Sequence, residues 1–551
     1  MNVTATIVFV LLFVFVTIVG FLAARWRAAD LSHLHEWGLA GRRFGTFVTW
    51  FLLGGDLYTA YTFVAVPALI FGGGAIGFFA VPYTIMIYPI LYLFFPRLWR
   101  LARDGGHITT ADIVEGLYHD RWLALAIALT GLLATMPYIA LQLIGMAVVI
   151  GGLGFHAQGW LADLPLIIAF LILAAFTYTS GLRAPALIAV VKDTLIYLAV
   201  FAAIIVVPWE LGGFSAIFAK IPAAKLLLPA PPPASTGAFS AYGSLALGSA
   251  IALFLYPHSM TAILSSSSGE VIRRNASILP AYSFLLGLLA LLGFMAAAWG
   301  VDKMPAFHDG FAAFGPNFAI PALFLAAFPS WFVGIAFAAI AIGALVPAAI
   351  MSIAAANLFT RNIWKAFVER ACPPEREAAI AKFVSLVVKA GALVFIIALP
   401  QRYAIELQLL GGVWISQTAP ALLLASHCPR LFSGPGLLLG WAAGMAAGTA
   451  MAAAQGFQSA VYPLHLAGYT LPGYAALYAL ALNLAVALVL SPFTHRAGAR
   501  RGRGGVAAGP LSRARAQSRR GPRPLPVPPP GRRAPRARLS GPAATPPRPR
   551  R

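Results

Sequence analysis

Asp56 stands in the run Gly54-Gly55-Asp56-Leu57-Tyr58-Thr59-Ala60-Tyr61-Thr62-Phe63, midway along an otherwise apolar segment from Thr46 to Phe71. A carboxylate at that depth costs about 3 kcal/mol on insertion scales and cannot snorkel to water. Two chemistries suit it: supplying charge to a bound cation, or carrying a proton, since burial favours the neutral acid. Gly54 and Gly55 weaken the helix beside it, and Pro67 removes a further backbone donor. Unwound backbone at mid-membrane frees carbonyls for a cation and amides for an anion. The hydroxyls of Tyr58, Thr59, Tyr61 and Thr62 crowd the same stretch, which favours a site over the alternative that Asp56 only locks two helices together.

A second interrupted run, FLYPHSMTAILSSSS, covers residues 254–268, with Pro257 breaking the ladder and His258 beside it. His258 either donates to a substrate carboxylate, titrates with a coupled proton, or packs against a backbone carbonyl. Tyr138 and Gln142 lie one helical turn apart; they line a cavity or join helices, and Gln408 and Gln417 carry the same two readings. Asp193 follows Lys192 near one end of its span and forms at least a local ion pair there. Lys389 is expected to snorkel from an inner helix end. No arginine falls mid-span, so recognition of an anion rests on hydroxyls, amides, helix ends or a coupled cation. That suits a small monoanion and disfavours a large polyanion.

The elements that position these residues are membrane helices. Of 551 residues, 60% are hydrophobic and 10% charged, against about 25% charged in soluble proteins. Thirteen apolar spans are expected at about 4–24, 47–70, 74–95, 123–152, 162–181, 186–208, 243–266, 278–300, 331–358, 383–400, 403–426, 435–455 and 471–491; each is of the length a bilayer requires. The alternating ten-residue strands of a β-barrel do not occur. The first span has no basic segment before it and is too long for a signal peptide. Seventeen Lys and Arg fall in one set of loops and four in the other, leaving the 496–551 tail aside, so the N-terminus is expected outside and the C-terminus inside.

The fold class is therefore an all-α polytopic membrane protein, divided into a transmembrane domain (1–495) and an Arg/Pro-rich tail (496–551). The tail holds 16 Arg and no Lys, Asp or Glu, so of the net charge of +22 only +6 belongs to the rest. Its composition predicts disorder; it reads as an arm for anionic lipid or nucleic acid, as a segment without a specific role, or as a frameshift product of a GC-rich gene. Cys372 and Cys428 make neither a disulfide framework nor a zinc site. No phosphate loop of an ATP-driven pump is present, no His/Glu or His/Asp cluster of a metal hydrolase, and no filter loop of a channel.

Counted from the second span, the two interrupted runs open two five-helix halves, as inverted repeats require: core repeats of about 47–208 and 243–426. In order and spacing, GLAGRRFG (38–45), Thr59-Ala60-Tyr61-Thr62-Phe63 with Pro67, PRLWRLARDGGHITTADIVEGLYHDR (96–121), TSGLRAPALIAVVKD (179–193) and NLFTRNIWKAF (357–367) resemble the sodium/solute symporter family, whose members share the LeuT-type fold. FLYPHSMTAILSSSSGEVIRRNASILPAYSF, YIALQLIGM (138–146) and YAIELQLLGGVWISQTAP (403–420) are similar to its bacterial monocarboxylate permease branch.

The resemblance implies a symporter, not an enzyme, in a bacterial inner membrane. Its solutes would be lactate, pyruvate, acetate, propionate or alanine, with no organic cofactor and no nucleic-acid partner; it leaves the oligomeric state open. The candidate residues for ion or proton coupling are Asp56, Gly55, Tyr58 and Asp193, the last placed by the resemblance on an intracellular ion path. The candidate substrate contacts, read from the residues themselves, are Thr59, Tyr61, Thr62, Tyr138, Gln142, His258 and Gln417. One departure matters. Sodium-coupled members place two adjacent Ser/Thr hydroxyls on the eighth core helix, where this sequence has Val346 and Pro347. The carbonyls of Gly55 and Tyr58 remain as sodium ligands, and the coupling ion is either Na+ or H+, with the missing hydroxyls favouring H+. The alternative to a symporter is a membrane-embedded solute sensor, whose mark would be a signalling domain after the last span.

Overall fold

The structure is a computed structural model in which residues 2–26, 30–155, 164–398 and 404–501 are described. The expectations for the tail fall almost wholly on 502–551, outside the described residues; Arg27 and Arg402, two of the loop charges counted for the orientation, also lie outside them. Met1–Arg496 form one compact unit, and all the candidate residues lie in it.

The helices that matter are α1 (Val3–Leu22), α2 (Thr46–Leu57), α3 (Val66–Gly73), α4 (Ala80–Asp104), α5 (Thr110–Tyr118), α6 (Arg121–Gly152), α7 (Leu164–Ser180) and α8 (Arg183–Leu211) in the first half. In the second half they are α9 (Gly237–Leu253), α10 (Pro257–Leu264), α11 (Gly269–Ile278), α12 (Pro280–Trp299), α13 (Ser330–Phe359), α14 (Pro374–Ala398) and α15 (Ala404–Ile415), followed by α16 (Gly434–Ala454) and α17 (Ala475–Arg501). Among the described residues, helix lies in each expected apolar span, over part or all of its length. Among the described residues nine helical stretches are long and apolar enough to cross a membrane, ten when α9 and α10 count as one bent span.

Both expected interruptions are present. The first span stops at Leu57 and resumes as a π-helical turn, Tyr61–Ala65, that runs into α3 with Pro67 in its first turn. The second bends by 49° between α9 and α10. Here the break precedes Pro257, which opens α10. Phe44, before α2, pairs with the strand-like segment after α10: its amide donates to Ser265 O at 3.2 Å and its carbonyl accepts from Ser267 N at 2.8 Å. The start of one broken span thus meets the end of the other, so the two run in opposite senses, as an inverted repeat demands.

Two features depart from the expected helices and loops. Residues 305–327, read as part of a loop, form a chain of short helices ending in Ala319–Ala327, which packs on α3, α6, α12 and α13. The start of the last expected span is the second strand of an antiparallel hairpin, β1 (Val461–Leu466) with β2 (Tyr469–Tyr474), and the helix begins at Ala475. Tyr474 anchors the hairpin by donating to Leu409 O at 2.6 Å.

Candidate functional site

At Tyr58 the backbone leaves the helix (φ −90°, ψ 87°), and the next amides lose their helical acceptors. Side chains replace them. Thr62 Oγ1 accepts from Thr59 N at 2.9 Å, Thr59 Oγ1 from Tyr61 N at 3.0 Å, and Gln142 Oε1 of α6 from Ala60 N at 3.1 Å. A buried amide left unpaired would cost roughly 1–3 kcal/mol, so Thr59, Thr62 and Gln142 stabilise the unwound form. Gln142 thus joins α6 to the unwound stretch. Gly145, one turn on, admits the break: a Cβ there would lie 2.4 Å from Ala60 Cβ.

Asp56, in the last turn before the break, faces the first turn of α10. Its Oδ2 accepts from Ser259 Oγ, and its Oδ1 lies 3.4 Å from His258 Nε2, with both side chains about 1% exposed. The His258 ring packs at 5.2 Å from Tyr138 and 5.3 Å from Tyr256, and Tyr61 lies tilted against Tyr83 at 6.5 Å. Asp56 Oδ1 and His258 Nδ1 make no hydrogen bond among the described residues. The cluster therefore keeps bonding capacity for a small anion or a proton. Ser259, absent from the sequence expectation, was legible as the neighbour of His258.

On the opposite flank of the break the structure corrects an expectation. Lys192 and Asp193 do not form an interfacial pair; both are buried at the break, 0% and 1% exposed. Lys192 Nζ donates to Gly55 O at 2.6 Å and Tyr58 O at 2.8 Å, and lies 2.9 Å from Asp193 Oδ1. Asp193 Oδ2 accepts from Tyr282 Oη at 2.7 Å, and Tyr58 Oη donates to Tyr282 O at 2.5 Å. Tyr282, from α12, was not anticipated. It explains Gly54, where a Cβ would lie 2.1 Å from its ring; at Gly55 a Cβ would lie 3.0 Å from Lys192 Nζ.

These residues do not fit sodium. The two carbonyls that would ligate it already accept from an ammonium, and Val346 and Pro347 on α13 bring no oxygen from a side chain.

The other expected residues have these partners. Gln417 donates to Val413 O at 3.0 Å and Ala476 O at 3.4 Å, and accepts from Asn483 Nδ2 at 3.2 Å; it ties the end of α15 to α17. Gln408 offers its carbonyl to Tyr256 Oη at 3.0 Å. Lys389 does not snorkel: it is buried on α14 and donates to Ser385 Oγ at 2.6 Å.

Ion pairs link the elements on the face expected to be cytoplasmic. Asp112, capping α5 with Thr109, accepts from Asn362 Nδ2 at 2.8 Å and Arg361 Nε at 3.2 Å. Arg361 also donates to Glu377 at 3.0 Å, and Lys365 to Glu377 at 2.5 Å. Glu36 holds Arg43 at 2.5 Å and Arg183 at 2.6 Å. Arg42 donates to the carbonyls of Leu264, Ala102 and His107; burial, then nearby Arg103, push its pKa down to about 10.

Oppositely directed broken helices, meeting at buried charges inside a helical bundle, define a multi-pass membrane transporter of LeuT-like fold. The chain belongs to the Sodium:solute symporter family, whose sequence model matches residues 37–493. It is 52% identical over 501 residues to a monocarboxylate transport permease protein of Rhizobium johnstonii, covering 89% of this chain and 97% of the relative. It is 31% identical over 430 residues to the uncharacterized symporter YodF of Bacillus subtilis, covering 77% and 83%. Among solved structures it is similar to a Na+-coupled sialic acid symporter in a substrate-bound outward-open state, with a TM-score of 0.71 and 15% identity over 89% of this chain and 97% of that one.

Proposed function

We propose that this cation-coupled symporter imports small monocarboxylates, such as lactate, pyruvate, acetate or propionate, with alanine as a further solute, across a bacterial inner membrane. The coupled cation is a proton taken up at Asp56. The observation that carries the reading is Asp56 at the first break, held by Ser259 and close to His258 of the second. The 52% identity to a monocarboxylate permease supports the solute class.

In this reading His258 and Ser259 hold the solute carboxylate, with Thr59, Tyr61 and Tyr138 around it. A proton on Asp56 removes the repulsion between its carboxylate and the anion, so proton and anion bind together. The charge network on the expected cytoplasmic face then separates as access alternates.

The test is uptake of labelled pyruvate, lactate and acetate into proteoliposomes under a proton gradient or a sodium gradient imposed separately. Accumulation driven by the proton gradient, and lost in Asp56→Asn that still inserts in the membrane, is expected. Normal uptake with an unchanged ion requirement in Asp56→Asn would sink the role of Asp56.

A further inference from the structure

We infer that Lys192 is a tethered cation occupying the seat between the broken first helix and α8, so that no free sodium binds there. The inference deepens the symport reading and rests on it only for the transport arm of its test.

The seat has the chemistry of a cation site. Two carbonyls freed by the break, Gly55 O and Tyr58 O, converge on one point, and a carboxylate, Asp193, stands beside it. Hard oxygen ligands of this kind suit a small monovalent cation. The point is taken by Lys192 Nζ at 2.6 and 2.8 Å from the carbonyls and 2.9 Å from Asp193 Oδ1. An ammonium there donates charge-assisted hydrogen bonds to both carbonyls and is ion-paired with Asp193 Oδ1. The surroundings are built to hold it. Gly55 carries no Cβ to displace the amine, and Tyr282 Oη bonds the far oxygen of Asp193 at 2.7 Å. On α13, to which the family resemblance assigns the remaining sodium ligands, the sequence has Val346 and Pro347 instead of hydroxyls. With the amine of Lys192 on the two carbonyls, the positive charge at the seat is supplied by the chain.

A covalently held cation cannot dissociate to either side. Lys192 therefore pins α8 to the break without drawing on a sodium gradient.

The test needs no solute. The full-length chain in detergent is unfolded thermally in sodium chloride and in choline chloride at equal ionic strength. The wild type is expected to show the same Tm in both. Lys192→Ser vacates the seat, adds an oxygen and leaves Asp193, and its Tm is expected to rise in sodium. A wild-type rise equal to that of Lys192→Ser overturns the inference, as does a folded Lys192→Ser indifferent to sodium. If the variant fails to fold, the wild-type comparison decides alone. In proteoliposomes, pyruvate accumulation by the wild type is expected to survive replacement of sodium by choline. A strict sodium requirement overturns the inference and leaves symport standing. No accumulation of any monocarboxylate under either gradient sinks the transport reading, and the Tm comparison still decides the seat.

Discussion

Asp56 and Lys192 sit on opposite flanks of one break, and each buried charge has a partner: His258 and Ser259 for the first, Asp193 and two carbonyls for the second. Removing one member of a buried pair typically costs 3–5 kcal/mol, because the other charge is left uncompensated. The glycines next to them set how closely the partners approach. Gly54→Ala would force the Tyr282 ring, 2.1 Å from the new Cβ, to move, while in Gly55→Ala the new Cβ would lie 3.0 Å from Lys192 Nζ and 3.3 Å from Asp193 Oδ2. Overpacking costs about 1–3 kcal/mol, and Gly54→Ala is expected at the upper end, with uptake and Tm both falling more than in Gly55→Ala. Equal effects of the two would refute the packing account. At this scale the sequence was half legible. The intramembrane carboxylate and the flanking glycines identified the break, but the glycines were read as helix weakeners, and their second reason, an approaching tyrosine, lies 228 positions further along (282 − 54).

The elements around the site are held by bonds that replace lost helical ones. Gln142 is the clearest, since from α6 it reaches an amide of the unwound stretch at 3.1 Å. Gln142→Leu is expected to lower stability by about 1–3 kcal/mol, with Gln142→Glu keeping the acceptor and recovering part of it; thermal unfolding of the two variants checks this. On the expected cytoplasmic face, Asp112 of α5 and Arg361 after α13 form a pair further tied to Glu377 of α14. A double-mutant cycle with Asp112→Asn and Arg361→Gln should give coupling of about 0.5–3 kcal/mol, as for contacting residues. If this pair closes the inner face, the single variants also raise solute leak; additive effects with no leak would remove that role. Neither link was legible in advance. Gln142 offered two readings that its spacing could not separate; Arg361 entered as a loop charge and within the run 357–367, and Asp112 only within the run 96–121.

For the molecule as a whole, the family match ends at residue 493, just before the Arg/Pro-rich segment. Truncation after His495 is expected to leave solute uptake unchanged. A large loss in a truncated chain that inserts normally would show that the tail contributes to transport. The thirteen expected spans and the inside C-terminus can be checked in the same system by labelling single cysteines placed in successive loops.

The sequence by itself determined the solvent, the bundle and the places where helices fail. Hydrophobic runs, loop charges and a lone carboxylate act locally or through the bilayer, and their effect needs no knowledge of neighbours. Only the tertiary structure decided who meets at the breaks. Helical spacing gives the face a side chain occupies, not which freed carbonyl it reaches. That depends on how α8 packs on α2 and α10 on the same helix, across separations of 137 and 203 residues. So Lys192, read as an interfacial lysine, turned out to hold the carbonyls assigned to sodium, and Lys389, expected in water, lies buried against Ser385.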